Sequence, residues 1–175
     1  MRKIYFLAVL LLAGAVGTTS CKKKEKESPK YTNSYTLKGG AETPIKWGAF
    51  YYNQGSDLYT IGLCKRIPDG EFGDESEGIQ LDFRSEKLNQ KITIGGAVTA
   101  EFEWGISIMY NDPFWYLLLA SSSNAYNNLA GWFKVSRTGT SNVFTIDFDL
   151  TFNDKHAVGN YRGSLIEKNE YFGYY

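Results

Sequence analysis

Between Asn142 and Phe152 the chain alternates without a break. Phe144, Ile146, Phe148, Leu150 and Phe152 fall on one side of an extended segment, and Val143, Thr145, Asp147, Asp149 and Thr151 fall on the other. Successive side chains of a strand point to opposite faces, so five consecutive matches to a period of two put the first set against a core and the second mostly in water. A helix would instead group residues three and four apart, and no window of that kind stands out downstream of Lys30. This one segment therefore commits its surroundings to antiparallel β-structure.

Its neighbours extend the pattern. Leu129 to Arg137 pairs naturally with it across Thr138-Gly139-Thr140-Ser141. On the other side Asn153-Asp154-Lys155 reads as a turn, because Asn and Asp bond their own backbone and tolerate left-handed geometry. A strand from Ala157 to Glu167 follows, with Tyr161 and Leu165 on one face and Gly159 and Gly163 leaving space above it. The three segments form a meander. Upstream, strands are expected at 35–38, 44–52, 58–65, 79–84, 92–94, 98–103, 104–110 and 114–121. In the 44–52 strand both faces carry aromatic rings, which suits burial on both sides. Asn111-Asp112-Pro113 is a turn signal. Nine to eleven strands of uneven length favour an all-β, antiparallel β-sandwich of jelly-roll-like form. The alternative is a closed, lipocalin-like β-barrel.

The first 27 residues follow different rules. Arg2 and Lys3 precede an uncharged apolar run, Ile4 to Val16, and Gly17-Thr18-Thr19-Ser20 leads to Cys21. A basic start, a short apolar centre and a small-residue exit describe a secretory signal peptide. As a helix the run would reach only about 20 Å, short of a roughly 30 Å hydrocarbon core. Thr18-Thr19-Ser20-Cys21 resembles the lipobox of bacterial lipoproteins, with Thr18 where that motif usually has Leu. The resemblance implies that residues 1–20 are removed and that Cys21 is acylated, which anchors the chain to a membrane; several acyl chains together make such attachment stable. Residues 21–30 are then a lipidated cysteine and a charged, solvated tether, and residues 31–175 a single all-β domain.

The balanced formal charge of the whole chain hides an asymmetry. Residues 22–30 hold five Lys and two Glu, whereas residues 31–175 hold 12 Lys/Arg against 17 Asp/Glu, a net of −5. An acidic domain repels phosphate backbones, which argues against nucleic acid as partner. With Cys21 lipidated, Cys64 has no partner for an intramolecular disulfide, so the core alone must hold the domain.

The block Gly131-Trp132-Phe133-Lys134-Val135-Ser136, then Phe144 to Leu150, then Gly159-Asn160-Tyr161-Arg162-Gly163-Ser164-Leu165, together with the lipobox, resembles small outer-membrane lipoproteins of Bacteroidota of unknown function. That resemblance covers about a quarter of the chain besides the lipobox. It implies an all-β lipoprotein of the cell envelope, at the outer membrane, and it carries over no catalytic residue.

Candidates for chemistry are few. His156 is the sole histidine and falls in a polar turn, where a solvated ring is the ordinary outcome. Cys64 lies on a strand and reads as a small buried hydrophobe. One histidine and one cysteine make a zinc site improbable, and no metal or other cofactor is implied. The run from Asp69 to Glu77 carries five carboxylates but lacks EF-hand spacing and reads as a solvated loop. Asp147 and Asp149 sit about 7 Å apart on an outward strand face, close enough for a carboxylate pair but without a cleft. The domain is therefore read as non-catalytic.

Aromatic residues remain: 28 in 175. Most belong in the core, where large rings dominate packing. Rings at consecutive positions of a strand point to opposite faces, so some reach the surface. Tyr52, Trp104, Trp115 and Tyr116 are the candidate ligand-binding residues, with a glycan as the ligand that stacks on exposed rings. The expected partners are a membrane through the lipid anchor and either a glycan or an outer-membrane protein. In the second case the aromatic end, Tyr171 to Tyr175, donates or caps a strand in a structural assembly.

Overall fold

The computed structural model describes residues 30–37, 40–66, 77–95, 103–111, 115–122, 129–152 and 155–172, with the backbone alone for 109–111 and 115–120. By its contacts the chain divides into Met1–Lys30 and Tyr31–Tyr175, and every strand described belongs to the second unit. Several expected features lie outside the described residues. They are Cys21 with its signal and tether, the segment 98–102, the carboxylates from Asp69 to Glu75, the turns at Asp112-Pro113 and Asn153-Asp154, and residues 173–175.

Two six-stranded sheets face each other. The first sheet runs in the order β2 (Thr43–Pro44), β1 (Ser34–Leu37), β11 (Lys155–Ser164), β10 (Val143–Phe152), β9 (Ala130–Arg137), β6 (Lys91–Ile94). The second runs β12 (Ile166–Glu167), β3 (Trp47–Asn53), β4 (Leu58–Cys64), β5 (Gly78–Arg84), β7 (Trp104–Asn111), β8 (Trp115–Ser121). Neighbours are antiparallel except β12 and β3, which run parallel. No pairing among the described residues joins one sheet to the other, so the fold is a sandwich and the barrel alternative does not apply. Consecutive strands pair within a sheet as β3-β4-β5 and β9-β10-β11, two meanders rather than the interleaved Greek keys of a jelly roll.

The alternation that opens the sequence argument decides the core. All five apolar residues of β10, from Phe144 to Phe152, are buried on its inner face. Phe148 has Phe133 of β9 beside it, and Ile146 has Val135. Opposite them stand Phe50, Ile61, Leu63, Ile79, Leu81, Phe83, Ile106 and Ile108 of the second sheet. Each fully buried side chain of this size contributes roughly 1.5–3 kcal/mol, and that supply is what stands in for a disulfide. The space expected above Gly159 is already filled. A Cβ there would stand 2.6 Å from Tyr35 Cβ and would collide with the Phe148 ring, so the glycine lets Phe148 and Tyr35 close over the strand.

One end of the sandwich is closed by a cation. The Arg137 guanidinium lies 5.1 Å from the centre of the Phe50 ring and 5.2 Å from that of Phe144, bridging the two sheets. Its nitrogens donate to Ser141 O, Thr140 O, Asn142 Oδ1 and Tyr59 Oη. A planar group with several fixed donors suits this position in a way an ammonium does not.

Two expectations need correction. His156 is the second residue of β11 rather than part of a turn, and its Nε2 meets Asp149 Oδ1 at 2.6 Å on the outer face of the first sheet. The single strand expected over 157–167 is two. The chain leaves the first sheet after Ser164, buries Leu165, and joins the second sheet as β12 beside β3. Leu165 N–H donates to Asn142 O at 2.8 Å at that crossing.

Candidate functional site

Two of the four ring candidates drawn from the sequence, Tyr52 and Trp104, have described side chains, and they lie in one row of the second sheet. The register places Tyr52, Tyr59, Phe83 and Trp104 in one row across β3, β4, β5 and β7, on the inner face of the second sheet. Tyr52 stacks on Tyr59 with ring centres 4.7 Å apart, and Tyr59 on Phe83 at 5.6 Å. Tyr52 and Trp104 are thus the two ends of a core row, both partly buried against the hydrophobic cluster. The Tyr52 hydroxyl donates to Asp57 Oδ1, which also accepts from Ser85. Those two bonds, the Ser85 one foremost, hold the Asp57 carboxyl below its usual range. Trp115 and Tyr116 open β8, the last strand of the second sheet; their side chains lie outside the described residues.

The outer face of the first sheet is open. Trp132 is partly exposed there, with Lys91 Nζ 4.1 Å from the centre of its ring. The pair formed by His156 and Asp149 is nearby, and Val143 and Val158 are exposed. Asp147 sits between Lys134 and Asn160 in register. Partial burial raises its carboxyl, and the Lys134 ammonium opposes that rise. This face carries mixed charges in local pairs, as a solvated sheet surface does.

The outer face of the second sheet is different. Its rows read Tyr51–Thr60–Asp82–Gly105, then Ala49–Gly62–Gln80–Ser107, then Trp47–Cys64–Gly78. Long solvated side chains are missing from this stretch. Small residues form a floor, with aromatic rings along the β3 side. Thr60, Gln80 and Ser107 are buried although they point away from the core, Gln80 completely. Polar groups buried away from water need partners, and Thr60 and Gln80 have theirs in Asp82. Thr60 Oγ1 donates to Asp82 Oδ1 and Gln80 Nε2 to Asp82 Oδ2, each at 2.7 Å. Burial pushes the Asp82 carboxyl up to about 6, against the pull of those two hydrogen bonds.

Part of what covers this floor is the chain's own end. After β12, Lys168 N–H donates to Phe50 O at 2.8 Å. Tyr171 and Phe172 then lie over the β3 side. The Tyr171 ring meets Tyr51 edge-on at 6.5 Å, and Phe172 meets Trp47 at 6.3 Å. Gln80 Nε2 also donates to the Tyr171 hydroxyl at 3.1 Å. The result is a carboxylate, a primary amide and hydroxyls held in a partly dehydrated layer and bounded by rings. Such a set accepts and donates hydrogen bonds in fixed directions while offering apolar faces for stacking.

The thiol on this face is not set up as a nucleophile. Cys64 belongs to this floor but is fully buried, and burial pushes its thiol up to about 12. No cluster of three or more His, Cys, Asp or Glu able to hold a metal occurs among the described residues.

Sequence reasoning missed Asp82, Gln80 and Thr60 because 79–84 alternates apolar and polar, and the polar positions read as solvated. A signal was present in 58–64. Its outward positions are Leu58, Thr60, Gly62 and Cys64, without one charge. An outward strand face with no charged residue implies something lying on it. No protein-family model, no curated protein and no solved structure matches the chain.

Proposed function

We propose that this chain is a lipid-anchored β-sandwich of the cell envelope, non-catalytic, that binds a hydroxyl-rich ligand, a glycan, on the outer face of the second sheet. One observation carries the reading: Thr60, Gln80 and Asp82 form a hydrogen-bonded polar set outside the core, walled by Trp47, Tyr51, Tyr171 and Phe172. Packing a sandwich does not require it, since the inner faces already bury the apolar side chains. A surface that gathers a few convergent polar groups, apolar walls and a perturbed carboxyl is where ligand binding is first sought. The lipobox at Cys21 supports the address, outer membrane or cell surface, and the acidic domain supports a neutral rather than an anionic ligand.

The competing role is a structural or assembly subunit whose aromatic end serves a partner. Against it stands the segment that leads into that end, since Ile166 and Glu167 pair with β3 of their own chain and the Lys168 amide bonds Phe50. Affinity electrophoresis of the lipidated full chain in non-ionic detergent, through gels containing soluble polysaccharides, tests the proposal. Retardation by at least one polysaccharide, lost in Gln80→Ala, is expected. Unretarded migration through every gel would return the assembly role to first place.

A further inference from the structure

Resting on that reading, we infer that Tyr171 is a built-in mimic of the ligand: the segment from Ile166 to Phe172 is a strap whose ring and hydroxyl occupy the seat of one pyranose unit, and a glycan binds by displacing it.

The seat is defined by what touches Tyr171. Its hydroxyl accepts from Gln80 Nε2, and its ring stands edge-on to Tyr51. A pyranose is a six-membered ring of similar breadth that bears hydroxyls at its rim and C–H groups on its faces. Placed in the same seat, one sugar hydroxyl would accept from Gln80. A neighbouring hydroxyl would donate to Asp82, whose oxygens already accept from Thr60 and Gln80 and keep further lone pairs. A tyrosine has one hydroxyl and uses the Gln80 contact. The adjacent carboxylate gives a polyol an interaction that a phenol with one hydroxyl does not duplicate.

The cover is also held differently from the floor. Gln80 is 0% exposed and Thr60 3%, whereas Ile166 is 52% exposed and Tyr171 38%. β12 pairs with β3 over two residues, Ile166 with Ala49 and Glu167 with Phe50. The crossing that delivers it is anchored by buried Leu165 and its bond to Asn142. A strap fixed at its base can lift beyond Glu167 while β12 stays paired with β3, and release of that two-residue pairing would leave β3 to β8 joined. Short strand pairings of this kind are drawn from the low-stability end of a fold. Because ligand and strap compete for one seat, the closed strap raises the apparent Kd by the ratio of closed to open states, of order tenfold to a hundredfold for contacts of this size.

Calorimetric titration of the lipidated full chain in detergent micelles, with malto-, cello-, xylo- and chito-oligosaccharides, tests the strap against the site. The double variant Tyr171→Ala/Phe172→Ala should bind at least one of these about tenfold more tightly than the wild type or better. Tyr171→Phe, which removes a single hydroxyl and keeps the ring, should show a smaller gain. In the wild type, saturating ligand should speed hydrogen exchange at the Lys168 amide, a readout that needs no variant. Equal affinity in all three chains, or tighter binding by the wild type, would overturn the strap while leaving the site. Silence from every chain toward every oligosaccharide would overturn the site and the strap with it.

Discussion

Asp82→Asn should remove a pH dependence of stability that the wild type carries. The carboxyl titrates at about 6 in the folded chain against 3.8 as the ordinary value. The folded state therefore holds its proton more tightly than the unfolded state does. Between those two values folding takes up a proton, and stability falls as pH rises. The contribution is fully present below pH 3.8 and gone above about 6. The shift of about 2 units corresponds to about 3 kcal/mol at 1.36 kcal/mol per unit. Asp82 keeps some accessible surface, so about 3 kcal/mol is an upper bound after solvent screening. Asparagine has nearly the same shape and does not ionise. Its oxygen can accept from Gln80 and its amide can donate to Thr60 Oγ1, which leaves the Thr60 hydrogen seeking a new acceptor at a cost of about 1 kcal/mol.

Urea unfolding of wild type and variant at pH 3.5 and pH 8 isolates the effect. The difference between the two proteins, variant minus wild type, should be more favourable to the variant at pH 8 than at pH 3.5 by about 2–3 kcal/mol. Comparing differences cancels carboxyls that titrate alike in both chains. Asp57 is one of these; its lowered carboxyl works in the opposite direction, adding stability that is lost as pH falls. Profiles that stay parallel across the whole range would refute the reasoning, because they would mean that water reaches Asp82 and that the outer floor is not dehydrated.

Other outcomes follow from single contacts. Arg137→Lys should lower stability by about 1–2 kcal/mol in thermal unfolding, since an ammonium cannot cover Phe50 and Phe144 and serve four acceptors together. Cys64 should stay unmodified by a maleimide at pH 7 in the folded chain and react once urea unfolds it, as its thiol is buried and titrates near 12. Cys21→Ser should abolish acylation and membrane fractionation while the far-ultraviolet spectrum of the domain stays unchanged; continued fractionation through the N-terminus would refute the lipobox.

How much of this was legible in the chain depends on what a strand pattern encodes. The period of two separates the faces of a strand, and for β10 it named every buried residue correctly. It also delivered the meander of β9, β10 and β11, because short polar links between alternating runs leave antiparallel pairing as the economical solution. It does not encode which sheet a strand joins. Leu165 and Ile166 continue the run of β11, yet Ile166 hydrogen-bonds into the opposite sheet. Nor does it distinguish water from a covering segment. Asp82 and Asp149 hold equivalent polar positions in their strands. Asp149 meets an exposed histidine, whereas Asp82 is crowded by Thr60 and Gln80. Nor does the period show that Tyr52 and Trp104 are the partly exposed ends of a row of four aromatic residues packed against the core.

The contrast between the two outer faces bears most directly on function. A two-layer sandwich has to bury its inner faces, and both sheets do so with Phe, Ile and Leu. Beyond that, an outer face is free to be solvated, and the first sheet follows that course with Lys91, Lys134, Asp149, His156 and Arg162. The second sheet gives up solvation. It replaces long polar side chains by Thr60, Gly62, Gly78 and Ser107 and then carries a desolvated carboxyl whose ionisation costs up to about 3 kcal/mol at neutral pH. The strap gives the Gln80 amide a hydroxyl to bond, and among the described residues no cation acts on the Asp82 carboxyl. Stability alone would be better served by a neutral residue at position 82. Under the proposed function, a polyol hydroxyl that donates to Asp82 once the strap is lifted would be a neutral partner for this carboxylate.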